Sequence, residues 1–261
     1  MFPPLLQIGA PFILSATVVI LITIVAEKYG TKIGGILGTL PSTIIIAFIF
    51  IALNKNLSFA SEAATIVPAE MAINLVFLLI FSTLAYRSIS IALVGALTIW
   101  TILSVLLYLS QINNIIISIV IYSAALISTF TILEKIKKIP SHQKVKVHYT
   151  PKKILLRGLL AGGVIATAVF LSNINPILSG IFSIFPAIFL STMIITVTEH
   201  GPRFTSGIAK SMTLGSMTVM TYVIAVHFLY PHYGLTLGTI YSFILAFTVA
   251  LALLKTREKI A

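Results

Sequence analysis

The feature that most limits what this chain can become is a series of long, unbroken apolar runs. There are nine, at 8–26, 33–53, 60–86, 88–109, 113–133, 154–173, 176–198, 204–229 and 234–254. An apolar run of about 20 residues crosses the hydrocarbon core of a bilayer as a helix. These runs are continuous rather than alternating, which favours helices over barrel strands. Only 9% of the residues are charged, whereas a soluble globule carries about 25%. The expected fold is therefore an all-α polytopic membrane protein with nine spans.

The basic residues orient the spans. With the N-terminus outside, Lys28 and Lys32 fall inside after the first span, Arg87 after the third, and Arg203 after the seventh. The loop 134–153, rich in lysine, falls inside after the fifth span, and Lys255, Arg257 and Lys259 inside after the ninth. Sixteen of the seventeen Lys and Arg residues then lie on the inner side, and Lys55 alone lies outside. Positive residues favour the cytoplasmic side. The pattern supports an odd number of spans with the N-terminus out and the C-terminus in.

The chain also repeats itself. Gly34-Gly35-Ile36-Leu37-Gly38-Thr39-Leu40-Pro41-Ser42 returns as Ser179-Gly180-Ile181-Phe182-Ser183-Ile184-Phe185-Pro186-Ala187. The offset from Pro41 to Pro186 is 145 residues, and it also places Ser61 on Ser206. It maps spans 1–4 onto spans 6–9 and leaves the fifth as a connector. The expected organisation is a first repeat (1–110), a connector helix with a basic loop (111–153) and a second repeat (154–261). An odd connector reverses the second copy, giving the 4+1+4 inverted-topology repeat found in many secondary transporters.

The segment from Pro176 to about Ala252 carries Gly180-Ile181, Phe185-Pro186, then Glu199-His200-Gly201, then two further apolar helices. In this it resembles the small four-helix membrane proteins of the GlpM type. The first half follows the pattern loosely, with Asn54-Lys55-Asn56 in place of Glu199-His200-Gly201. The resemblance implies a fused double copy of a small unit and says little about function.

Composition removes several classes. Without cysteine there is no thiolate or disulfide chemistry. Without aspartate, the only acids are Glu27, Glu62, Glu70, Glu134, Glu199 and Glu258. No zinc-protease, phosphate-loop or nucleophile-elbow motif occurs, and no enzyme activity, cofactor or metal is expected. The net charge of +11 fits basic loops meeting anionic lipid better than nucleic acid. No cleaved signal peptide is expected, because the N-terminus lacks a basic n-region.

The site candidates follow from depth. At ~1.5 Å per residue, Pro41 and Pro186 both reach the middle of the bilayer. Proline removes an N–H and disturbs the carbonyl four residues back, here Leu37 and Phe182. Gly38 and Gly180 permit bending or close approach, and Ser42, Thr43 and Ser183 supply hydroxyls. Two broken helices meeting at the midplane expose backbone groups to a substrate; two plain kinks with tight packing are the simpler alternative. Glu70 lies about 15 Å deep in the third span, with Asn74 one turn on. A carboxyl there is either protonated or paired, so Glu70 is a candidate proton or cation site, or else a neutral acid locking two helices. Lys210 either snorkels to the inner interface or pairs with Glu70 across the repeat. Glu199, His200, Pro202 and Arg203 read as an interfacial helix end. His227 and His232 lack the carboxylates of a metal site, and His142 and His148 fall in the basic loop. Trp100 is expected to pack, and Tyr222 and Tyr241 to hydrogen-bond between helices.

The expectation is a secondary transporter or exchanger of a small solute or ion in a prokaryotic cell membrane. A channel, and a structural or regulatory membrane protein, stay open as alternatives. Its partners would be the solute and anionic lipid, with a homo-oligomer left open.

Overall fold

The computed structural model describes residues 4–139 and 150–260, with side chains described for 7–24, 40–139 and 150–255. The described secondary structure is helical throughout. The elements are α1 (Pro4–Thr39), α2 (Ser42–Asn54), α3 (Leu57–Leu84), α4 (Ile89–Ser110), α5 (Ile115–Thr131), α6 (Pro151–Leu171), α7 (Pro176–Ser183) and α8 (Ala187–Ile260). A wider π turn, Ile132–Ile136, extends α5. α8 is not one rod. Gly201 (φ 78°) and Gly234 (φ 74°) leave helical geometry and divide it into segments 187–200, 202–233 and 235–260. Positive φ is a conformation glycine adopts without a Cβ penalty, so both bends fall where the sequence allows them.

Six helices among the described residues are long and apolar enough to cross a membrane. The nine apolar runs exceed this number for identifiable reasons. The second run is divided between α1 and the short α2, and the last three follow one another through α7 and α8 with only bends between. The gap expected after residue 26 is not a turn. α1 runs through it, because nothing between 27 and 32 stronger than the single Gly30 breaks a helix. The chain stops instead at Leu40-Pro41. Lys28, Lys32 and Gly38 belong to the part of α1 whose side chains lie outside the described residues, as do His142 and His148 in the loop.

α3 is the central rod. It is buried on all sides through most of its length, from Ala63 to Leu75 without interruption. A helix apolar all round belongs inside a bundle. α4 and α5 expose Ile91, Val94, Ile102, Val105, Leu106, Ile116, Val120 and Ile127, the continuous apolar surface that lipid would cover.

The helices pair by the 145-residue offset. α1 packs mainly on α6, and α3 on α8. Gly158 lies against Ile20 and Ala16, and Gly162 against Phe12 and Ala16. The contacts move up one helix as they move down the other, so α1 and α6 are antiparallel. Gly158-x-x-x-Gly162 provides the small face that lets two backbones approach. On α3, the Ser61 Oγ donates to the His227 carbonyl (2.6 Å). At the other end of the same crossing, the Ser206 Oγ donates to the Ser82 carbonyl (3.3 Å). Ser206 is the counterpart of Ser61, and His227 that of Ser82. One contact is thus made twice, between antiparallel counterparts. A two-fold axis lying across the helices generates this pattern.

Close packing makes a direct prediction. An ideal Cβ on Gly180 lies 2.3 Å from the Ala63 carbonyl oxygen of α3, whereas one on Gly163 meets nothing within 4 Å. Overpacking a tight contact costs ~1–3 kcal/mol. Gly180→Ala should lower the melting temperature in detergent, and Gly163→Ala should leave it unchanged or raise it.

Candidate functional site

The two prolines break their helices in the same way. Around Pro41 the Ser42 N–H donates to the Leu40 carbonyl (2.8 Å), and the Ile45 N–H to the Pro41 carbonyl (3.2 Å). Around Pro186 the equivalent bonds are Ala187 to Phe185 (2.7 Å) and Leu190 to Pro186 (2.7 Å). Pro41 has φ −77° and ψ 51°, close to an inverse γ-turn. Proline holds φ near −65° and has no N–H to continue the ladder. The chain therefore takes a tight turn and restarts as a helix one residue later. Pro41 and Pro186 are breaks, not gentle kinks.

Between the breaks lies a cavity of about 330 Å³. Pro41, Ser42, Thr43, Asn74, Ser183 and Pro186 all line it. The structure therefore brings together six of the nine residues singled out from the sequence. Gly38 lies outside the described side chains. Glu70 is fully buried one turn from Asn74, behind the cavity wall. Lys210 is elsewhere. Its Nζ donates to Glu134 Oε2 (2.6 Å) and to the Ile139 carbonyl (2.7 Å). It neither snorkels freely nor pairs with Glu70; it ties the exposed acid of the π turn after α5 to the Ile139 carbonyl just beyond that turn. Its counterpart Thr65 instead faces His227 Nδ1 (3.3 Å) at the opposite end of the crossing.

The carbonyl expected to be freed by Pro186 was that of Phe182. It is taken by the Phe185 N–H (3.2 Å) as the turn tightens. The carbonyl that needs outside help is Ile184, and Asn74 supplies it: the Nδ2 donates at 2.7 Å. Asn74 Oδ1 in turn accepts from Trp100 Nε1 (2.9 Å), and the Trp100 ring meets Phe185 edge-on at 4.8 Å. One turn away, Ser104 Oγ donates to Glu70 Oε1 (2.7 Å). Glu70 Oε2 has no hydrogen-bond partner among the described residues. α3 and α4 are thus joined by two polar rungs, Glu70–Ser104 and Asn74–Trp100, and the second rung reaches the broken end of α7. The offset places Gly215, Val219, Leu245 and Val249 at the counterpart positions, so the rungs belong to the first half alone.

Sequence reasoning passed over Arg157, Thr192, Thr23, Ser211 and Ser216, which also line the cavity. Arg157 donates from a terminal guanidinium nitrogen to Thr192 Oγ1 (2.9 Å). Its place near a helix end read as a topology marker. The missed signal is its position one residue before Gly158-x-x-x-Gly162, which marks the packed face of α6.

Other candidates find structural roles. The Tyr122 hydroxyl meets Ser216 (2.7 Å), and Tyr222 meets Tyr230 (3.5 Å). Tyr241 stacks edge-on with Tyr233 at 5.5 Å. Lys153 pairs with Glu199, and His200 packs on Phe204. Among the described residues no group of three or more His, Cys, Asp or Glu is placed to hold a metal.

The model of a family described as proteins of unknown function, DUF3147, matches the chain twice, over residues 10–114 and 154–259. No curated protein and no solved structure matches. The two matched stretches begin 144 residues apart (154 − 10) and end 145 apart (259 − 114), close to the offset that relates Pro41 to Pro186 and Ser61 to Ser206. The chain belongs to the DUF3147 family and carries that family's unit in two copies.

Proposed function

We propose that the protein is a secondary transporter or exchanger of a small solute, working by alternating access between two four-helix units of opposite orientation. The observation that carries this reading is a cavity, among the described residues, walled on both sides by equivalent proline breaks. Discontinuous helices meeting at such a cavity are the usual architecture of a carrier's binding site. In this reading the chain crosses a prokaryotic cell membrane repeatedly, with the C-terminus in, and the uninterrupted α1 occupies the stretch where a reversal between the first two crossings was expected. The units are 1–110 and 154–261, and 111–153 connects them. Lys137, Lys152, Arg203 and Lys255 then meet anionic lipid at the inner face. The Gly201 bend, which ends a helix at Glu199-His200-Gly201, supports kinship of the unit with the GlpM type.

Glu70 is assigned the coupling role. A fully buried carboxyl with one oxygen unsatisfied is costly, and a proton gained or lost there changes its bond to Ser104. The neighbouring rung passes that change through Trp100 and Asn74 to Ile184 and Phe185, which line the cavity. Asn74 acts as a positioning residue, since both ends of its amide are engaged.

The test is uptake into proteoliposomes of whichever solute raises the melting temperature in a screen of ions, amino acids, nucleobases and phosphorylated metabolites. Glu70→Gln should reduce uptake driven by a proton gradient at least ~10-fold while solute exchange continues. Unchanged driven uptake removes Glu70 from coupling, and a sustained current in place of saturable uptake marks a channel. Asn74→Leu strands the Ile184 carbonyl and the Trp100 N–H, at ~1–3 kcal/mol for each buried group. It should lower both melting temperature and uptake, and adding Glu70→Gln should reduce driven uptake no further.

A further inference from the structure

We infer that α2 and the 187–200 segment of α8 are the two gates of the carrier, each closing one end of the cavity by a side-chain clasp on α6. This rests on the transport reading of the same cavity and names its moving parts. α2 restarts the chain after Pro41, and the 187–200 segment restarts it after Pro186. Ser42, Thr43, Ala187 and Ile188 are all on the cavity wall. Each helix then runs on for about 20 Å at ~1.5 Å per residue, α2 to Asn54 and the other to Glu199 and His200. Asn54 and Glu199 are counterparts under the 145-residue offset.

Both far ends close on α6, at its opposite ends. Asn54 Nδ2 donates to Ser172 Oγ (2.8 Å) and to Asn173 Oδ1 (3.2 Å), just past the C-terminus of α6. Glu199 pairs with Lys153, in the first turn of α6. Between the two clasps α6 lines the cavity with Ala161, Val164 and Ile165. One post is thus held at its two ends by two levers, with the cavity between them. One turn deeper than Lys153, Arg157 donates to Thr192 Oγ1 (2.9 Å) of the same lever, so that seam has a second fastening.

The backbone lets each lever tilt as a body. α2 is bounded by Pro41 and by Lys55 (φ −116°, ψ −90°) and the extended Asn56. The 187–200 segment is bounded by Ile184 (φ −121°, ψ 17°) and Gly201 (φ 78°). A few residues at the ends of an element absorb the dihedral change when it moves. α3 and the 202–233 segment, by contrast, are joined by the same serine-to-carbonyl bond at both ends, as a frame common to both open forms would be. The clasps differ in chemistry. The Lys153–Glu199 pair is charged and partly exposed, so salt screens it. The Asn54 clasp is neutral, and salt leaves it alone.

The experiment places one cysteine, Thr43→Cys, in the full chain, which has none of its own. Its reaction with a charged methanethiosulfonate is followed in membrane vesicles of each orientation. Adding Glu199→Gln should speed the reaction from the Lys153 face about 2–5-fold and should not speed it from the Asn54 face. Adding Asn54→Ala should speed it from the Asn54 face about 2–10-fold and not from the Lys153 face. Raising the ionic strength from about 0.01 M to about 1 M shortens the screening length from ~30 Å to ~3 Å. This should speed the Lys153-face reaction with Thr43→Cys alone, and should no longer do so once Glu199→Gln is present. Lys153→Gln and Asn173→Ala weaken each clasp from the α6 side and stand in for a variant that fails to fold. Faster reaction from both faces in either variant, no change at either face, or a salt response that persists in Glu199→Gln would each overturn the gate assignment. In those cases a Thr43→Cys chain that reacts from both faces leaves the transport reading standing. A cysteine reached from one face alone in every chain defeats both.

Discussion

A bilayer core offers no water to an unpaired backbone group. Any interruption of a helix there must be supported by other protein or must line a wet cavity. The rest of this structure follows from how that constraint is met at Pro41 and Pro186. Each proline ends one helix, turns tightly and starts another, and the turn takes up most of the freed groups locally. What is left over is the Ile184 carbonyl, taken by Asn74, and the helix starts, which face the cavity. The cavity is thus the place where the breaks leave polar groups unburdened by local partners.

The helices carrying the two breaks are held together by contacts between counterparts that run in opposite directions. α1 lies along α6 through the Gly158–Gly162 face, and α3 crosses the 202–233 segment with the same serine-to-carbonyl bond at both ends. The family's unit occurs twice in the chain, and the two copies differ in the side chains they place at corresponding positions. The first half holds the buried Glu70 and Asn74 rungs, whereas the second half contributes Arg157 and Thr192. Lys210 and Thr65 occupy equivalent positions at opposite ends of the crossing, and one closes on Glu134 while the other faces His227. The two ends of the bundle are therefore chemically distinct although their backbones correspond.

Much of this was legible in the residues. Apolar length identified the helices. Proline and glycine in register located the breaks and the repeat, because those residues act on the backbone whatever surrounds them. Six residues of the cavity wall followed, since hydroxyls and amides next to a break have few other places to go. Contacts between distant helices were not legible. Lys210 found Glu134 because the π turn after α5 brought that acid beneath it, which no periodicity announces. Arg157 passed as an interfacial charge because its depth, not its facing direction, was all that spacing along the helix could give. The continuation of α1 past residue 26 was missed because charged residues were read as a loop, although glutamate and lysine are good helix formers.

The chain has no cysteine, which permits the most direct measurement of the central claim, that both breaks open on one shared aqueous cavity. Thr43→Cys and Ile188→Cys are counterparts on the two walls, and Val105→Cys on exposed α4 is the control. In oriented membranes treated with a hydrophilic thiol reagent, both wall positions should react from the same face or faces, while the control should not. If both wall positions stay as inert as the control, or each reacts only from the face opposite the other, the breaks do not share a cavity and the account is contradicted.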